Sequence, residues 1–515
     1  MAPEATPVGI DLGTTFSAIA YLDEGGKPVT ISNREGELTT PSAILFEDNN
    51  IVVGREAIRA ALTDPERVVQ CIKREIGTPR YRYRAGDKSY SPEELSAMIL
   101  KKLKQDAEQK IGPIEEAVIT VPAYFDDTRR KATQDAGRIA GLKVLDIINE
   151  PTAAALAYGV GKLGKKEIAL VYDLGGGTFD VTLVKIAGRQ VRMLATDGDV
   201  RLGGKDWDER ILDFVADKFK EETDADPRED ALSLNDLQER VEEAKRALSE
   251  RTKVRIPCSH AGHRLSVELS RDEFEQLTED LLGRTQLTTD LVMEESGLTW
   301  DDVSRVLLVG GSTRMPMVQS MLDLVTGKPP DASLPADEVV AWGAAIHAGI
   351  LSMREEGGRK RYHEKTVEKL KDVVEINVNS HSLGITAYDR KAKKRVNAII
   401  IKKNTPLPHA AKRLFRTPKT EGKSSALKVG ILEGEAKDPD ACIQIGECTV
   451  KLPGELPPGS PIQISFNYDE SGRIGVHALD MTSGREAKTE IIREVGMAPD
   501  EIEQAAADLS KAELE

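Results

Sequence analysis

Apolar positions up to about residue 355 alternate between strand-like runs and helix-like spacing. "EAVITVPAYF" predicts a strand, whereas "SPEELSAMILKKLKQDAEQKIG" predicts a helix that Ser91 caps, with Pro92 in its first turn and Glu94 completing a capping box. "LNDLQERVEEAKRALSE" and "SRDEFEQLTEDLLGRTQLTTDLVMEES" predict further amphipathic helices. Alternation of this kind is typical of an α/β domain.

The pattern changes after the charged, glycine-broken stretch "MREEGGRKRYHEKTVEKLKD", which indicates a domain boundary. From about Ile376 to Glu490 the chain holds short strand-like runs such as "HSLGITAYD" and "IQISFNYDESGRIGVHALD", separated by Pro and Gly turns. This spacing predicts an all-β sandwich. The final "APDEIEQAAADLSKAELE" predicts one short acidic helix.

The first half of the chain also contains an internal repeat. "VGIDLGTTFSAIAYL" begins at Val8, and the related "LVYDLGGGTFDVTLV" ends at Val184. Both contain an apolar run, Asp-Leu-Gly, a threonine and a second apolar run. Two copies of one strand–turn–strand unit predict a domain of two similar lobes that face each other.

Both repeated turns are suited to binding phosphate. Glycine allows a ligand to approach the backbone, and successive N–H groups in such a turn bind anions. Thr14, Thr15 and Thr178 add hydroxyl groups. The carboxylates at the strand ends, Asp11, Asp173 and Asp180, suit a hydrated Mg²⁺. For a single turn of this kind, a plain tight hairpin is as good an explanation as a binding site. Two matched copies favour a Mg²⁺-polyphosphate site.

Two further segments could complete a nucleotide site. In "VLLVGGSTRMPMV" an apolar strand leads into Gly310 and Gly311 and then a helix, whose N-terminus could receive the ribose and α-phosphate side. "EEAKRALSE" places Glu242, Arg246 and Ser249 on one helical face. From spacing alone, a solvated charged helix explains this second segment better.

Composition narrows the range of partners and cellular locations that we expect for this protein. The net charge is −15, which argues against a nucleic-acid partner because phosphate binding needs a basic surface. The four cysteines form no CxxC pair, so neither a zinc site nor a disulfide scaffold is indicated. We find no signal segment and no apolar run that approaches the length of a membrane span, so we expect no membrane association and a cytoplasmic protein.

Seven motifs in order resemble the seventy-kilodalton heat-shock chaperones of the actin–hexokinase ATPase clan: "GIDLGTTFSAIA", "VITVPAYF", "IINEPTAAALAYG", "YDLGGGTFDVTLV", "RLGGKDWD", "EEAKRALSE" and "LLVGGSTRMPM". The resemblance covers nearly the whole chain. It implies an α/β two-lobed actin-like ATPase domain over residues 1–357 and a linker over 358–375. It further implies an all-β sandwich peptide-binding domain over residues 376–492. A short C-terminal helix over 493–515 would be a remnant of the family's lid.

The resemblance also implies roles for individual residues. Asp11, Asp173 and Asp180 would position Mg²⁺. The groups that take part in ATP hydrolysis would be Lys73, Glu150, Asp173 and Thr178. The groups that bind ATP or ADP would be Asp11, Gly13, Thr14, Thr15, Gly175, Gly176, Gly177, Gly203, Gly204, Glu242, Lys245, Arg246, Ser249, Gly310, Gly311, Ser312, Arg314 and Asp337, with Arg246 and Arg314 stacking on the adenine.

The implied function is that of a stress-response chaperone whose weak ATPase drives binding and release of unfolded apolar peptides. K⁺ is a further ion that the resemblance suggests. Pro122 and Arg130 would relay the nucleotide state. The apolar peptide pocket would be formed by Leu383, Ile385, Phe415, Leu427 and Val429, although without the resemblance these residues are better explained as ordinary sandwich core.

The sequence departs from the family pattern in four places. The lid is nearly absent, which predicts faster peptide release. The linker, usually a leucine run, reads "DVVEIN", and we expect an exposed Glu375 carboxylate to oppose its docking. Asp146 replaces the arginine that receives the acidic tip of a J-domain cochaperone, so we expect poor stimulation by a standard J-domain. A shortened segment after Ser249 affects the region where nucleotide exchange factors often dock.

Two other functions of the same clan remain open from the residues. A small-molecule kinase would need a substrate pocket and a catalytic base between the lobes. It would not need the fused all-β segment over residues 376–492, which we call the β region. A filament-forming actin relative would assemble above a critical concentration. The β region favours the chaperone, which we expect to be monomeric.

Overall fold

The structure is a computed structural model of the 515-residue chain. It describes residues 5–48, 50–78, 80–160, 166–355, 358–389, 391–416, 426–451, 459–469, 474–482, 484, 486–490, 497–512 and 514–515. No helix in these ranges combines the length and the apolar character that crossing a membrane requires.

The first sheet contains the first copy of the repeat. Its strands lie in the order β11-β10-β1-β2-β3, and β4 pairs with β2. The elements up to residue 160 are β1 (Val8–Asp11), β2 (Phe16–Leu22), β3 (Pro28–Thr30), β4 (Thr40–Pro41), β5 (Ala43–Phe46), β6 (Ile51–Val53), α1 (Arg55–Ala60), β7 (Val68–Gln70), β8 (Tyr83–Ala85), β9 (Lys88–Tyr90), α2 (Pro92–Ile111), β10 (Glu116–Val121), α3 (Asp127–Ile139), β11 (Lys143–Asn149) and α4 (Glu150–Val160).

The second sheet contains the second copy of the repeat. Its order is β17-β12-β13-β14-β18. The elements from residue 166 to residue 376 are β12 (Lys166–Leu174), β13 (Phe179–Ala187), β14 (Gln190–Asp199), α5 (Gly204–Thr223), α6 (Ala231–Glu250), β15 (Lys253–His260), β16 (His263–Ser270), α7 (Arg271–Leu277), α8 (Glu279–Ser296), β17 (Arg305–Val309), α9 (Pro316–Thr326), α10 (Val339–Arg354), α11 (Glu364–Leu370) and β18 (Val374–Ile376).

The two copies of the repeat form the same structural unit. The hairpin β1–β2 is antiparallel, and β1 pairs in parallel with β10 on its other side. The hairpin β12–β13 is likewise antiparallel, and β12 pairs in parallel with β17. Each repeated turn therefore lies at the end of a buried strand in the middle of a sheet, which is where the sequence predicted a ligand-binding loop.

Helices α4 and α10 pack together between the two sheets. Their buried apolar side chains belong to one cluster that also includes Val118 and Ile148 of the first sheet and Val171 and Leu307 of the second. The helices approach each other closely because α10 carries a glycine at the contact, Gly343. This packing fixes the two sheets, and hence the two turns, in relation to each other.

The segment predicted as a linker is folded onto these sheets. Leu370, at the end of α11, and Val373 are fully buried. The short strand β18 then pairs in parallel with β14 at the edge of the second sheet. Our expectation that Glu375 would be exposed and would oppose docking is wrong, because its side chain is only 8% exposed and bonds to His347.

The remainder of the chain forms two four-stranded antiparallel sheets, in the orders β20-β19-β22-β23 and β21-β24-β25-β26. They share one apolar core, in agreement with the predicted all-β region. The elements are β19 (Leu383–Asp389), β20 (Lys394–Ile401), β21 (His409–Arg416), β22 (Ala426–Glu433), β23 (Ile443–Lys451), β24 (Pro461–Tyr468), β25 (Ile474–Asp480), β26 (Glu486–Glu490) and, after the sheets, α12 (Pro499–Lys511).

The helix α12, predicted as a remnant of a lid, packs beside the first sheet. Ile502, Ala505 and Leu509 are buried in the same apolar cluster as residues of α2 and α3. The backbone of Glu515 then exchanges two hydrogen bonds with the edge strand β6, to Ile51 O and from Val53 N. The chain thus returns from the β region to the part of the molecule where it began.

Candidate functional site

A cleft of about 750 Å³ opens between the first and second sheets. It is lined by both repeated turns, by α6 and by the turn after β17. The predicted site residues that line it are Asp11, Gly13, Thr14, Thr15, Lys73, Glu150, Asp173, Gly175, Gly176, Thr178, Gly204, Glu242, Lys245, Arg246, Ser249, Gly310, Gly311, Ser312, Arg314 and Asp337. Most of the residues singled out from the sequence therefore surround one cavity.

The two repeated turns meet at the bottom of the cleft. A Cβ atom built on Gly176 would lie 2.3 Å from the Thr15 hydroxyl oxygen, and one built on Gly177 would lie 2.5 Å from that of Thr14. No larger residue fits at either position without moving the opposite turn. The glycines are thus required by the close approach of the two turns, which brings three threonine hydroxyls and several backbone N–H groups to one place.

Three of the predicted residues, Gly177, Gly203 and Asp180, support the wall of the cleft. Gly203 packs against the backbone of Gly177, where a Cβ atom would lie 2.5 Å from the amide nitrogen. Arg74 donates a 3.1 Å hydrogen bond to the Gly177 carbonyl oxygen and a 2.6 Å hydrogen bond to Asp206. Asp180 is buried and accepts a 3.1 Å hydrogen bond from the backbone N–H of Tyr124. These residues hold the turn in place from behind.

Three acidic side chains and one lysine form the charged centre of the cleft, and a fourth acid, Asp180, lies behind them. Burial, followed by the neighbouring Glu150 carboxylate, raises the pKa of Asp11 to about 7. Burial and Glu150 likewise raise the pKa of Asp173 and of Asp180 well above the usual range. Lys73, only 5% exposed, forms an ion pair with Glu150. One lysine does not neutralise four carboxyl groups, so this centre is suited to an added cation.

The donor set at this centre suits Mg²⁺ bound partly through water. In the described part of the chain, no three acidic, histidine or cysteine side chains are placed to ligate one ion directly. Mg²⁺ usually keeps several waters and takes one or two carboxylates together with substrate phosphates. Asp11 and Asp173 line the cleft and could make such contacts, whereas Asp180 lies behind them.

The outer end of the cleft is shaped by ion pairs that fix polar side chains. Lys245 contacts the Asp208 carboxylate at 2.8 Å and donates to the Gly204 carbonyl oxygen, also at 2.8 Å. Arg314 pairs with Asp337 at 2.6 Å. Arg246 pairs with Glu242 and lies 5.7 Å from the centroid of the Phe16 ring. Two guanidinium planes and an aromatic ring thus border a space that could hold a flat heterocycle.

Sequence reasoning missed several residues of the cleft. Lys205 and Asp208 stand inside the motif "RLGGKDWD", which was identified although only its glycines were assigned. Lys205 pairs with Glu242 at 3.4 Å, and Asp208 pairs with Lys245. The other missed residues that line the cleft include Phe16, Arg55, Ile58 and Cys71. Their positions depend on the distant chain segments that pack together here, and no local pattern in the sequence indicates them.

The predicted relay residues lie where the α/β sheets meet the β region. Pro122 is buried, and Arg130 hydrogen-bonds to the Asn149 side chain and to the Ile147 carbonyl oxygen. Next to Pro122, the Ala123 carbonyl oxygen accepts a hydrogen bond from the Ser380 hydroxyl. These contacts connect the back of the cleft to the start of the β region.

A second group of contacts joins the loop between β20 and β21 to the second sheet. Lys403, 10% exposed, contacts Asp197 at 2.6 Å and Glu295 at 3.2 Å. Asn404 donates a 2.7 Å hydrogen bond to Glu295 and accepts one of 3.1 Å from the Thr196 N–H. The β region is therefore held against the α/β sheets by polar contacts.

The predicted peptide-pocket residues lie in the core between the two β sheets. Leu383, Ile385 and Val429 are buried, and Phe415 is partly buried against them. The side chain of Leu427 lies outside the described residues. In this structure the four described residues pack as ordinary sandwich core, so contact with a peptide would require them to become accessible.

Comparison with known families identifies this chain. The family model for Hsp70 protein matches residues 7–83 and 78–515, which together cover nearly the whole chain. The match includes both repeated turns, the cleft and the β region. The chain therefore belongs to the Hsp70 family.

Proposed function

We propose that this protein is a chaperone in which ATP binding and hydrolysis between the first two sheets control the binding of extended apolar peptides in the β region. Members of the Hsp70 family are in general chaperones that bind ATP or ADP with Mg²⁺, hydrolyse ATP and bind unfolded peptides. The observation that best supports this proposal is the close approach of the two glycine turns over a buried acidic centre.

The phosphates would lie between the turns. The hydroxyls of Thr14, Thr15 and Thr178 and the N–H groups of the turns would donate to phosphate oxygens. Bound Mg²⁺ would supply charge that offsets the developing negative charge on the phosphates. Lys73 would contact the terminal phosphate, and Glu150, which Lys73 orients, would align the attacking water. Most of the rate enhancement would therefore come from positioning and charge.

The nucleoside would occupy the outer end of the cleft. The guanidinium groups of Arg246 and Arg314 are held by carboxylates and border the same space, which allows stacking on either face of an adenine. Lys245 and Ser249, from the same face of α6, line the cleft next to Arg246 and could donate to the ribose. Ser312 is oriented by its 3.0 Å hydrogen bond to the Gly175 carbonyl oxygen.

Coupling between the two activities would follow the contacts behind the cleft. Asp180 accepts from the backbone N–H of Tyr124, whose ring centroid lies 4.3 Å from that of His381 in the β region. A change at the phosphates would move Asp180, Tyr124 and His381 in turn. Lys403 would hold the β region against Asp197 while this happens.

The proposal is tested by ATP turnover with and without an extended leucine-rich peptide. We expect the peptide to raise turnover by about fivefold or more. Substituting Lys403→Ala leaves Asp197 and Glu295 without their cation and should abolish most of this stimulation. Lys428→Ala, at a lysine that is 71% exposed on β22, is the matched control and should keep it. Wild-type turnover that ignores the peptide would contradict the proposal, as would full stimulation in Lys403→Ala.

Partners and location remain expectations from the resemblance. Asp146 holds a carboxylate, 25% exposed, where the family has an arginine. A J-domain with an acidic tip would meet like charge there, so weak stimulation is still our prediction. A nucleotide exchange factor, K⁺ binding, a monomeric state and a cytoplasmic location also stay predictions.

A further inference from the structure

A histidine buried in the apolar helix α10 lies between two carboxylates from different parts of the chain. His347 Nε2 is 2.9 Å from Asp146 Oδ2 on β11, and Nδ1 is 2.9 Å from Glu375 Oε1 on β18. The histidine and Glu375 side chains are 9% and 8% exposed. One imidazole therefore connects the first sheet, α10 and the strand that leads to the β region.

The two carboxylates keep this imidazole charged. Burial alone would lower the pKa of His347, but Glu375 and Asp146 outweigh it and raise the pKa to about 10. Only a protonated imidazole can donate from both ring nitrogens, as the two contacts require. The three groups thus form a buried chain of carboxylate, imidazolium and carboxylate.

Besides its contact with His347, the strand β18 is held by backbone pairing and by the buried residue that precedes it. β18 has three residues and pairs with β14 on one side. Val374, its first residue, is 41% exposed, so the apolar burial next to the strand comes mainly from Val373, the residue before it. Glu375 Oε2 is buried and has no hydrogen-bond partner in the described part of the chain. This unsatisfied oxygen makes docking of the strand less favourable, and the contact with His347 must offset that cost.

We propose that His347 is the positioning residue that keeps β18 docked on the second sheet, through its charged contact with Glu375, and that it links this docking to Asp146. Docking here adds a buried charge contact to strand pairing and the burial of Val373, where an apolar linker would depend on buried area alone. Asp146 and Glu375 are both departures from the family pattern noted in the sequence, and both contact the imidazolium of His347. The significance of docking for peptide release rests on the proposed function; the docking itself does not.

Removing only His347 from the His347–Glu375 contact should have a different effect from removing both residues. With His347→Leu, Glu375 keeps its charge in a buried place near Asp146, which opposes docking. With His347→Leu and Glu375→Leu together, two apolar side chains face each other and the buried charge on β18 is gone, while the Asp146 carboxylate, 25% exposed, stays in contact with water. A residue that only fills space in the core would not be rescued by a change on β18.

Hydrogen exchange of residues 371–378 in the full-length protein, with and without Mg-ATP, tests this directly. The variants are compared in the nucleotide state in which the wild type protects this segment most. There we expect His347→Leu to lower protection about tenfold or more. The double variant should restore protection to within about threefold of the wild-type value. His263→Leu, at an exposed position of the β15–β16 hairpin, is the control and should not change it. His347→Gln is uncharged, and its one amide nitrogen can contact only one of the two carboxylates, so it should lower protection by an intermediate factor. This variant replaces His347→Leu in the test if His347→Leu does not fold.

Wild-type protection in His347→Leu would overturn the proposal, as would a double variant as exposed as the single one. The absence of protection in the wild type in both nucleotide states would also overturn it. The readout needs no ATP turnover and no peptide. A protein that fails to respond to peptide but shows the expected exchange pattern would contradict the chaperone proposal alone.

Discussion

Substituting Lys73→Ala should lower ATP turnover by about 10³-fold while changing the affinity for Mg-ATP by less than about tenfold. Lys73 is the buried cation at the centre of the cleft, where it pairs with Glu150 and where both groups affect the charges of Asp11 and Asp173. Its charge would matter most in the transition state, when negative charge moves onto the terminal phosphate oxygens. Its removal also leaves Glu150 without its partner, so under the proposed function the attacking water would lose its orientation. Single-turnover hydrolysis of bound ATP measures the chemical step separately from binding.

Lys88→Ala, at an exposed position on β9, is the matched control for this change and should hydrolyse ATP at the wild-type rate. Glu150→Gln would keep the shape of the partner and remove its charge, so we expect a smaller loss than for Lys73→Ala. If Lys73→Ala hydrolysed ATP at a rate close to that of the wild type, the catalytic role assigned to this lysine would be wrong.

Substituting Gly343→Ala should lower the free energy of unfolding by about 3 kcal/mol or more. A Cβ atom at this position of α10 would lie 1.8 Å from the carbonyl oxygen of Ala153 on α4. The obstacle is backbone, which cannot rotate away, so one of the two helices must shift. Because these helices lie between the two sheets, the shift should also separate the two turns and weaken nucleotide binding. Urea unfolding followed by circular dichroism gives the stability.

The control for this substitution is Gly283→Ala on α8, where a Cβ atom would have no neighbour within 4 Å. Alanine has the higher helix propensity, so this variant should gain up to about 1 kcal/mol. Equal stabilities for Gly343→Ala and the wild type would show that α4 and α10 are not packed as described.

Features encoded locally in the sequence were predicted well. The capping box of α2 is present: the Ser91 hydroxyl accepts from Glu94 N at 3.2 Å and the Glu94 carboxylate accepts from Ser91 N at 2.7 Å. The repeated Asp-Leu-Gly motifs do form matching hairpins, because the alternation of apolar residues fixes the strands and the glycines fix the turns. Most of the cleft was found for the same reason, since its residues occur in short motifs.

Features that depend on tertiary contacts were not predicted. The helix expected after Ser270 is broken at Thr278, whose buried hydroxyl lies 3.7 Å from the sulfur of Met317, 39 residues away. Glu375 was expected to be exposed because its partner, His347, is 28 residues away in an otherwise apolar helix. The position of α12 beside the first sheet has no local signal either, because its apolar face would suit any apolar surface.

The central claim is that the two glycine turns bind Mg-ATP between them, and calorimetric titration tests it most directly. We predict one site per chain in the wild type and an affinity at least about tenfold lower without Mg²⁺. The double variant Asp11→Ala and Asp173→Ala should bind equally weakly with and without Mg²⁺. No binding by the folded wild type, or wild-type Mg²⁺-dependent affinity in the double variant, would contradict the account.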